Sequence, residues 1–168
     1  MRTARKIIVA CLLAGLSVSV SADVVEIILQ PSDLIRRGNS YIEAGEIEKA
    51  KEALSRALKS SLTSRQRANA HNSLCVANIK EEAWDAAMLQ CDAAIEIAPT
   101  NWRFFNNRGN VYLGLGQLEQ ARKNYHRGLH IAPKSKTLAT NVAILEHYAK
   151  KTKSKRMKPR HIKYEKPT

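Results

Sequence analysis

Aromatic residues make up only 5% of this 168-residue sequence, whereas alanine and leucine are plentiful. Strands of β-sandwiches and barrels favour aromatic and β-branched residues, while alanine and leucine favour helices. The apolar fraction of 44% is that of a globular protein, and the length suits one domain of ordinary size. The composition therefore predicts a single all-α domain.

Catalytic patterns are also missing from the sequence. It contains no glycine-rich phosphate loop and no HExxH, GxSxG or CxxC pattern. His126 and His130 lie four residues apart and could present two imidazoles to a divalent ion, but no third ligand lies nearby in the sequence. We interpret both as polar residues on the outer face of a helix, and His71 as a packed histidine. The sequence therefore predicts no enzyme activity, no cofactor and no metal site.

The N-terminal residues form a pattern typical of a secretory signal peptide. Three basic residues among the first six precede an uncharged apolar stretch at residues 7–20. Ala22, with Val20 two residues before it, fits signal peptidase, whose pocket accepts only short side chains. We therefore expect cleavage after Ala22, a mature chain that starts at Asp23, and export to the periplasm or cell envelope.

Two alternatives remain for the same segment. The apolar stretch is shorter than the ~20 residues that a helix needs to cross a bilayer, but residues 24–29 would extend it into an uncleaved membrane anchor. Residues 8–11 loosely resemble a lipidation motif at Cys11, although only residues 7–10 would then form the apolar region before it. Cleavage after Ala22 is the preferred interpretation.

Positive charge is unevenly distributed along the chain. The formal net charge is +13, of which +3 comes from the N-terminal segment and +8 from residues 150–168, so the middle of the chain is nearly neutral. We expect residues 151–168 to be a disordered tail, because Pro159 and Pro167 interrupt any helix. The tail would bind an anionic membrane or cell-wall surface rather than nucleic acid, or would only improve solubility. The residues expected to bind such a surface are Lys151, Lys153, Lys155, Arg156, Lys158 and Arg160.

An internal repeat is the strongest signal in the sequence. Three copies align through Ala50, Ala87 and Ala121; the second and third copies are 34 residues apart, and the first and second are 37 apart. The difference implies three extra residues in the connection at residues 60–65. Small residues recur where two antiparallel helices must approach closely, which favours a row of helical hairpins.

The repeat resembles the tetratricopeptide repeat family, which has small, aromatic and turn residues at fixed positions. The third copy matches best, through Phe105, Gly109, Tyr112, Leu115, Gly116, Ala121, Tyr125, Gly128 and Pro133. The first copy supplies Leu34, Gly38, Tyr41, Gly45, Ala50, Leu54 and Ala57, and has Leu62 in place of the closing proline. The second departs most, with His71, Cys75, Asn78 and Glu82 at family positions.

The resemblance covers about residues 31–150 and implies a short α-solenoid. We expect an N-terminal extension at 23–30, three hairpins at 31–64, 68–101 and 102–135, and a capping helix at 136–150. A single hairpin buries too little apolar surface to be stable alone, whereas three stacked hairpins share a continuous core.

In this family the first helix of each hairpin faces a concave groove that often binds an extended peptide. The residues expected to face the groove are Asn39, Asn69, Asn72, Arg103, Asn106, Asn107 and Asn110. A carboxamide offers both a donor and an acceptor, so a row of asparagines can bind a peptide main chain without selecting its sequence. Arg103 favours a partner with some negative charge. A purely structural role for the asparagines is the alternative.

Arg103 and Asn39 are similar to part of the carboxylate clamp by which some cytosolic co-chaperones bind an acidic C terminus. Ile35, Ser73 and Asn107 occupy the positions where the remaining clamp residues would be expected. That particular partner is therefore not expected.

Cys75 and Cys91 are the only cysteines that remain after cleavage at Ala22. The hairpin arrangement places them opposite each other on the two helices of the second hairpin. An oxidising compartment would allow them to form a disulfide. Two buried apolar thiols are the alternative.

These features predict a non-enzymatic adapter or scaffold of the bacterial cell envelope that binds a partner peptide or protein in its groove. The alternative is an envelope-surface structural protein, in which the basic tail binds anionic membrane or cell-wall polymers and the repeats only space or oligomerise it.

Overall fold

The computed structural model describes residues 30–156, with side chains up to residue 153. This range contains seven helices and no strand: α1 (Pro31–Ala44), α2 (Ile47–Leu58), α3 (Ser64–Lys80), α4 (Trp84–Ile97), α5 (Trp102–Gly114), α6 (Leu118–Ile131) and α7 (Lys136–Arg156). The first six helices pair as three hairpins, and α7 packs on α6. The predicted all-α solenoid of three hairpins and a capping helix is confirmed. The predicted signal peptide and residues 157–168 of the tail lie outside the described residues.

The first helix of each hairpin begins at residues suited to that position. Pro31 starts α1, where no backbone N–H is needed. At α3, Thr63 Oγ1 accepts from the Gln66 N–H at 3.3 Å, and Gln66 Oε1 accepts from the Thr63 N–H at 3.0 Å, which completes a capping box. At α5, the Asn101 side chain accepts from the Arg103 N–H at 3.2 Å. Local sequence therefore sets where these helices start.

The start of α3 differs from the prediction. The helix begins at Ser64, before the expected start of the second repeat at about residue 68, and has 17 residues compared with 14 in α1 and 13 in α5. The capping box at 63–66 sets this start, so the extra residues between the first two copies mainly lengthen α3. Arg67 Nη1 donates to the Leu58 carbonyl at 3.2 Å and ties the added turn to α2.

The turns inside the three hairpins share one backbone conformation. Gly45, Glu82 and Gly116 have positive φ angles of 78°, 58° and 72°. Glycine adopts this left-handed region without steric cost, whereas glutamate does not. The second hairpin therefore keeps the turn geometry of its neighbours although it lacks their glycine.

A contact between a small residue and a large one joins the helices of the first and third hairpins. Gly38 faces Leu54, and a Cβ atom added to Gly38 would lie 2.5 Å from Leu54 Cγ. Gly109 faces the ring of Tyr125 in the same way, and a Cβ atom added to Gly109 would lie 2.6 Å from Tyr125 Cδ1. Both large side chains are fully buried. Close approach of the two helices therefore depends on the missing Cβ at each glycine.

The second hairpin replaces this contact with a covalent link. Cys75 and Cys91 occupy the corresponding positions, are fully buried, and form a disulfide across a sequence separation of 16 with a Cα–Cα distance of 5.3 Å. The disulfide joins α3 to α4 at the point where the other hairpins pack a large side chain on a glycine.

The last helix, α7, covers the open side of the third hairpin. Leu138 and Leu145 are fully buried. A Cβ added to Gly128 on α6 would lie 2.9 Å from Leu138 Cδ1, so the two helices are in close contact. At the edge, Glu146 Oε1 accepts from Arg122 Nε at 3.0 Å. These contacts fix the N-terminal half of α7 on the solenoid.

The C-terminal end of α7 also differs from the prediction. The helix extends to Arg156, six residues beyond the expected end at Lys150, so the tail expected to be disordered from residue 151 begins as helix. Lysine and arginine have good helix propensity, which favours continuation of the helix through this basic segment. No helix within residues 30–156 is long and apolar enough to cross a membrane.

Candidate partner-binding groove

The first helices of the hairpins form one surface. Helix α1 contacts α3, and α3 contacts α5, whereas α2, α4 and α6 mainly contact the first helices that flank them. The first helices therefore approach one another more closely than the second helices do, as on the concave side of a solenoid. We call the surface formed by α1, α3, α5 and the first half of α7 the groove.

All seven predicted groove residues lie on these helices, but their exposure differs. Asn39, Asn69 and Arg103 are exposed, whereas Asn106 is buried with 7% of its surface accessible. The remaining three, Asn72, Asn107 and Asn110, are half-buried. The structure therefore brings the predicted residues together but divides them into an exposed set and a partly buried one.

Four carboxamides form a hydrogen-bonded chain across the groove. Asn141 on α7 donates its amide to Asn106 Oδ1 at 2.7 Å. Asn106 Nδ2 donates to Asn107 Oδ1 at 3.2 Å, and Asn107 Nδ2 donates to Asn72 Oδ1 at 2.8 Å. Every bond points the same way, from α7 through α5 to α3. We call these four residues the asparagine chain.

Two further contacts use the oxygen of a groove asparagine. Ser73 Oγ donates to Asn39 Oδ1 at 2.6 Å and joins α3 to α1. Asn110 Oδ1 accepts from the Tyr125 hydroxyl at 2.8 Å and from Asn141 Nδ2 at 3.4 Å. Burial raises the pKa of Tyr125 to about 12. The groove asparagines thus contribute to helix packing as well as lining a surface.

The same hydrogen bonds leave the groove with more free donors than free acceptors. The oxygens of Asn39, Asn72 and Asn110 each accept a hydrogen bond, whereas their amide nitrogens donate to no residue within 30–156. The exposed side chains of Asn69 and Arg103 form no hydrogen bond with that part of the chain either. A ligand in the groove would therefore meet chiefly N–H groups.

Formal charge differs between the groove helices α3 and α5 and the outer helix α4. Helices α3 and α5 contain five Lys or Arg residues and no Asp or Glu. On the outer side, α4 contains Asp85, Asp92 and Glu96 and no Lys or Arg. Arg103 forms no ion pair within the described residues, and its guanidinium lies 4.7 Å from the Trp102 ring centroid. Helices α3 and α5 are therefore basic and α4 is acidic, and Arg108 of α5 pairs with Asp92 of α4 at 2.7 Å.

Sequence reasoning missed three residues of this network: Ser73, Asn141 and Tyr125. One donor recurs at a spacing of 34 residues, as Ser73, Asn107 and Asn141. Each of the three donates to an asparagine on the preceding groove helix. Extending the repeat alignment into the capping helix would have identified Asn141. Tyr125 matches a position of the repeat pattern, and that match does not indicate a hydrogen-bond partner for its hydroxyl.

The three histidines considered in the sequence lie on two different hairpins. His71 is half-buried, and its Nδ1 lies 2.8 Å from Gln90 Oε1. His126 and His130 are exposed on α6. Among the described residues, no three His, Cys, Asp or Glu side chains form a group that could hold a metal ion.

Two family models, both described as tetratricopeptide repeat, match residues 35–101 and 91–123. Together they cover just over half of the chain. The chain therefore belongs to the tetratricopeptide repeat family.

Curated proteins of known function match this chain only over a small part of their own length. The human peptidyl-prolyl cis-trans isomerase FKBP4 is 28% identical over 76 residues, which are 45% of this chain and 17% of that protein. Heat shock protein STI1 of Saccharomyces cerevisiae is 27% identical over 101 residues, which are 60% of this chain and 17% of that protein.

Solved structures share the fold. The first TPR domain of human RPAP3 superposes with a TM-score of 0.67 at 17% identity, covering 74% of this chain and 95% of that one. The second TPR domain of human RPAP3, in complex with the HSP70 peptide SGPTIEEVD, superposes with a TM-score of 0.61 at 22% identity, covering 70% of this chain and 98% of that one. MamA from Desulfovibrio magneticus RS-1 gives 0.58 at 19% identity, covering 78% of each chain. At these identities the likeness concerns the fold alone.

Proposed function

We propose that this protein is a non-enzymatic adapter that binds an extended, acidic segment of a partner protein in the groove. One observation carries the proposal: the groove helices α3 and α5 have no acidic residue and present Arg103 and unpaired amide donors. A carboxylate accepts hydrogen bonds and carries the complementary charge, so such a surface favours acidic segments.

Neighbouring folds support the proposal. The second TPR domain of human RPAP3 binds the peptide SGPTIEEVD, and the first TPR domain of Spaghetti binds the HSP90 peptide SRMEEVD. Both peptides carry two adjacent glutamates and an aspartate. The present chain lacks most of the family's carboxylate-clamp residues, so we do not transfer those partners to it.

The proposal is tested with short acetylated and amidated peptides in which alanine alternates with glutamate, glutamine or lysine. Titration calorimetry should give tightest binding for the glutamate peptide. Arg103→Ala should weaken that binding, because it removes an exposed guanidinium on the groove side. Lys123→Ala on α6 removes the same charge from an exposed site elsewhere and should have little effect. Equal weakening by both variants would mean that net charge, and not the groove, binds the peptide.

We further propose that the adapter acts in the cell envelope after export. The support is the signal-like pattern of residues 1–22 and the disulfide between Cys75 and Cys91, a bond that is typical of proteins in oxidising compartments. The intact mass of the exported protein checks this: a chain beginning at Asp23 supports cleavage, and a chain that retains residues 1–22 supports a membrane anchor instead.

A tethered structural protein is the second candidate. The observation that favours it is the basic C terminus, where nine Lys or Arg residues accompany only Glu165. In that case deletion of residues 151–168 would release the protein from its partners, while groove substitutions would not.

A further inference from the structure

We propose that Asn72 is the anchor of the groove for a side-chain carboxylate, and that Asn141 is a positioning residue that acts on it through the asparagine chain. This inference rests on the proposed function and specifies it. It assigns roles to one residue that contacts the ligand and to another that lies on a different helix.

The direction of the chain singles out Asn72. Each carboxamide in it accepts a hydrogen bond at its oxygen and donates from its nitrogen, so polarisation adds along the series. Asn72 is the last member: its oxygen accepts from Asn107 at 2.8 Å, and its nitrogen donates to no residue within 30–156. The strengthened donor at the end of the chain is therefore unused and half-exposed in the groove.

Burial of the chain makes this polarisation more effective. Asn106, its second member, has only 7% of its surface accessible. Electrostatic interactions are stronger where water is excluded, and a buried carboxamide must be oriented by its partners. Because Asn141 supplies the donor to Asn106 Oδ1, it determines which way the Asn106 amide points, and the orientation passes to Asn107 and Asn72.

Other donors lie beside the proposed anchor. Asn69 is about one helical turn before Asn72 on α3, and Arg103 is one turn before Asn107 on α5. Because Asn72 and Asn107 are hydrogen-bonded to each other, Asn69 and Arg103 lie toward the same end of the groove. Three exposed or half-exposed side chains thus offer N–H groups with no acidic residue on either helix.

This arrangement selects a carboxylate over other side chains. A carboxylate accepts several hydrogen bonds at once, whereas the amide of glutamine offers one acceptor and a nitrogen that would face other donors. A lysine would meet a single unbonded acceptor among these three side chains, the Asn69 oxygen, and would be repelled by Arg103. The ligand is therefore an internal Asp or Glu side chain of an extended partner segment.

The test uses the same three peptides with the full chain lacking residues 1–22. In ¹⁵N spectra the side-chain amide signals of Asn72 should shift on addition of the glutamate peptide and not on addition of the lysine peptide. Asn141→Leu has a similar size but cannot donate to Asn106, and it should weaken binding of the glutamate peptide by about threefold to tenfold. Asn141→Gln retains a donor and should restore part of the affinity.

Thr140→Leu is the matched control, since Thr140 is the exposed neighbour of Asn141 and forms no hydrogen bond through its side chain within the described residues. It should leave affinity unchanged within twofold, which is about 0.4 kcal/mol. If Asn141→Leu lowers stability but binds the peptide as tightly as the wild type, the positioning role is wrong while the adapter function stands. If the wild type binds none of the peptides, both proposals are wrong.

Discussion

Glu82 is the residue whose backbone conformation fits its side chain least well. Its φ of 58° lies where Gly45 and Gly116 lie in the neighbouring hairpins. A residue with a Cβ atom loses roughly 1–2 kcal/mol in the left-handed region. Glycine avoids this cost but loses more conformational entropy on folding, which offsets part of the gain. We expect Glu82→Gly to raise the free energy of unfolding by up to about 1 kcal/mol, measured as an increase in the urea midpoint.

The adjacent Glu81 provides the control for this substitution. Its φ is −94°, and its Oε2 accepts from Lys51 Nζ at 2.9 Å. Glu81→Gly gains nothing in the turn and loses that contact, so it should lower the urea midpoint. A decrease for both variants would show that the side chain of Glu82 matters more than its backbone conformation.

The buried hydroxyl of Tyr125 should affect how the stability of the protein changes at alkaline pH. Burial raises its pKa to about 12, whereas an unfolded tyrosine titrates near 10. The folded state therefore retains a proton that the unfolded state loses, so this contribution is complete below pH ~10 and is lost as pH rises toward 12. At pH 8, Tyr125→Phe should have a lower urea midpoint than the wild type, because it loses the hydrogen bond to Asn110. Between pH 9 and 11, the urea midpoint of Tyr125→Phe should fall less than that of the wild type. An equal fall in both proteins would contradict the assignment.

The groove asparagines show how far a single sequence can predict a site. Their residue type and their place on the first helices could be predicted from the repeat, and all of them lie on the groove helices. Their hydrogen-bond partners could not, because these depend on distances between helices. Such distances are set by packing contacts such as Gly38 on Leu54 and Gly109 on Tyr125. Asn106 was therefore expected to face a ligand, whereas it is buried within the asparagine chain.

Among the elements, the second hairpin departs most from the pattern of its family and is the one joined by a disulfide. Its turn lacks glycine, and Cys75 with Cys91 takes the place of the glycine contact. Closing a loop of this length contributes about 3 kcal/mol in the chain-entropy model. We expect reduction of the disulfide to lower the urea midpoint of the wild type. The urea midpoint of the double variant Cys75→Ala/Cys91→Ala should not change when reductant is added.

Thiol labelling gives an independent measurement of the same bond. Protein purified from the exported fraction and denatured without reductant should show no reactive thiol, and it should show two after reduction. Two reactive thiols before reduction would mean that the cysteines are buried but unlinked, and that hairpin stability has another source.

Helix ends were less predictable than helix number. The repeat predicted the three hairpins and the capping helix, since each has small and large residues at regular spacing. The early start of α3 depends on a reciprocal hydrogen bond between Thr63 and Gln66. The late end of α7 follows from helix propensity in a basic segment that has no proline before Pro159. Both are local effects that the 34-residue spacing does not encode.

The whole molecule separates its charges by region. Its groove helices α3 and α5 are basic, α4 on the outer side is acidic, and the C terminus carries the largest excess of positive charge. Acidic ligands would therefore be attracted both to the groove and to the C terminus. A binding experiment that alters the groove must therefore leave the C terminus unchanged, and one that alters the C terminus must leave the groove unchanged.

The last prediction concerns the basic C terminus as a surface tether. Residues 150–168 carry a net charge of +8, and each Lys or Arg near an anionic membrane contributes about 1 kcal/mol of attraction. Salt shortens the range of this attraction, since the Debye length falls to about 10 Å at 0.1 M. Mature protein should therefore cosediment with vesicles containing anionic phospholipid at low salt, should be released as salt rises, and should not bind neutral vesicles.

Two variants separate the tether from the groove. Deletion of residues 157–168 leaves α7 intact, because the helix ends at Arg156, and should weaken vesicle binding in part. Replacement of Lys151, Lys153 and Lys155 by glutamine keeps helix-forming residues while removing three more charges, and adding it to the deletion should abolish binding. The loss of affinity for the glutamate peptide caused by Arg103→Ala should be the same in both variants as in the wild type, since neither alters α3 or α5. If the doubly altered protein still binds vesicles in a salt-sensitive way, the charge that binds the membrane lies on the folded repeats, and the C terminus only improves solubility.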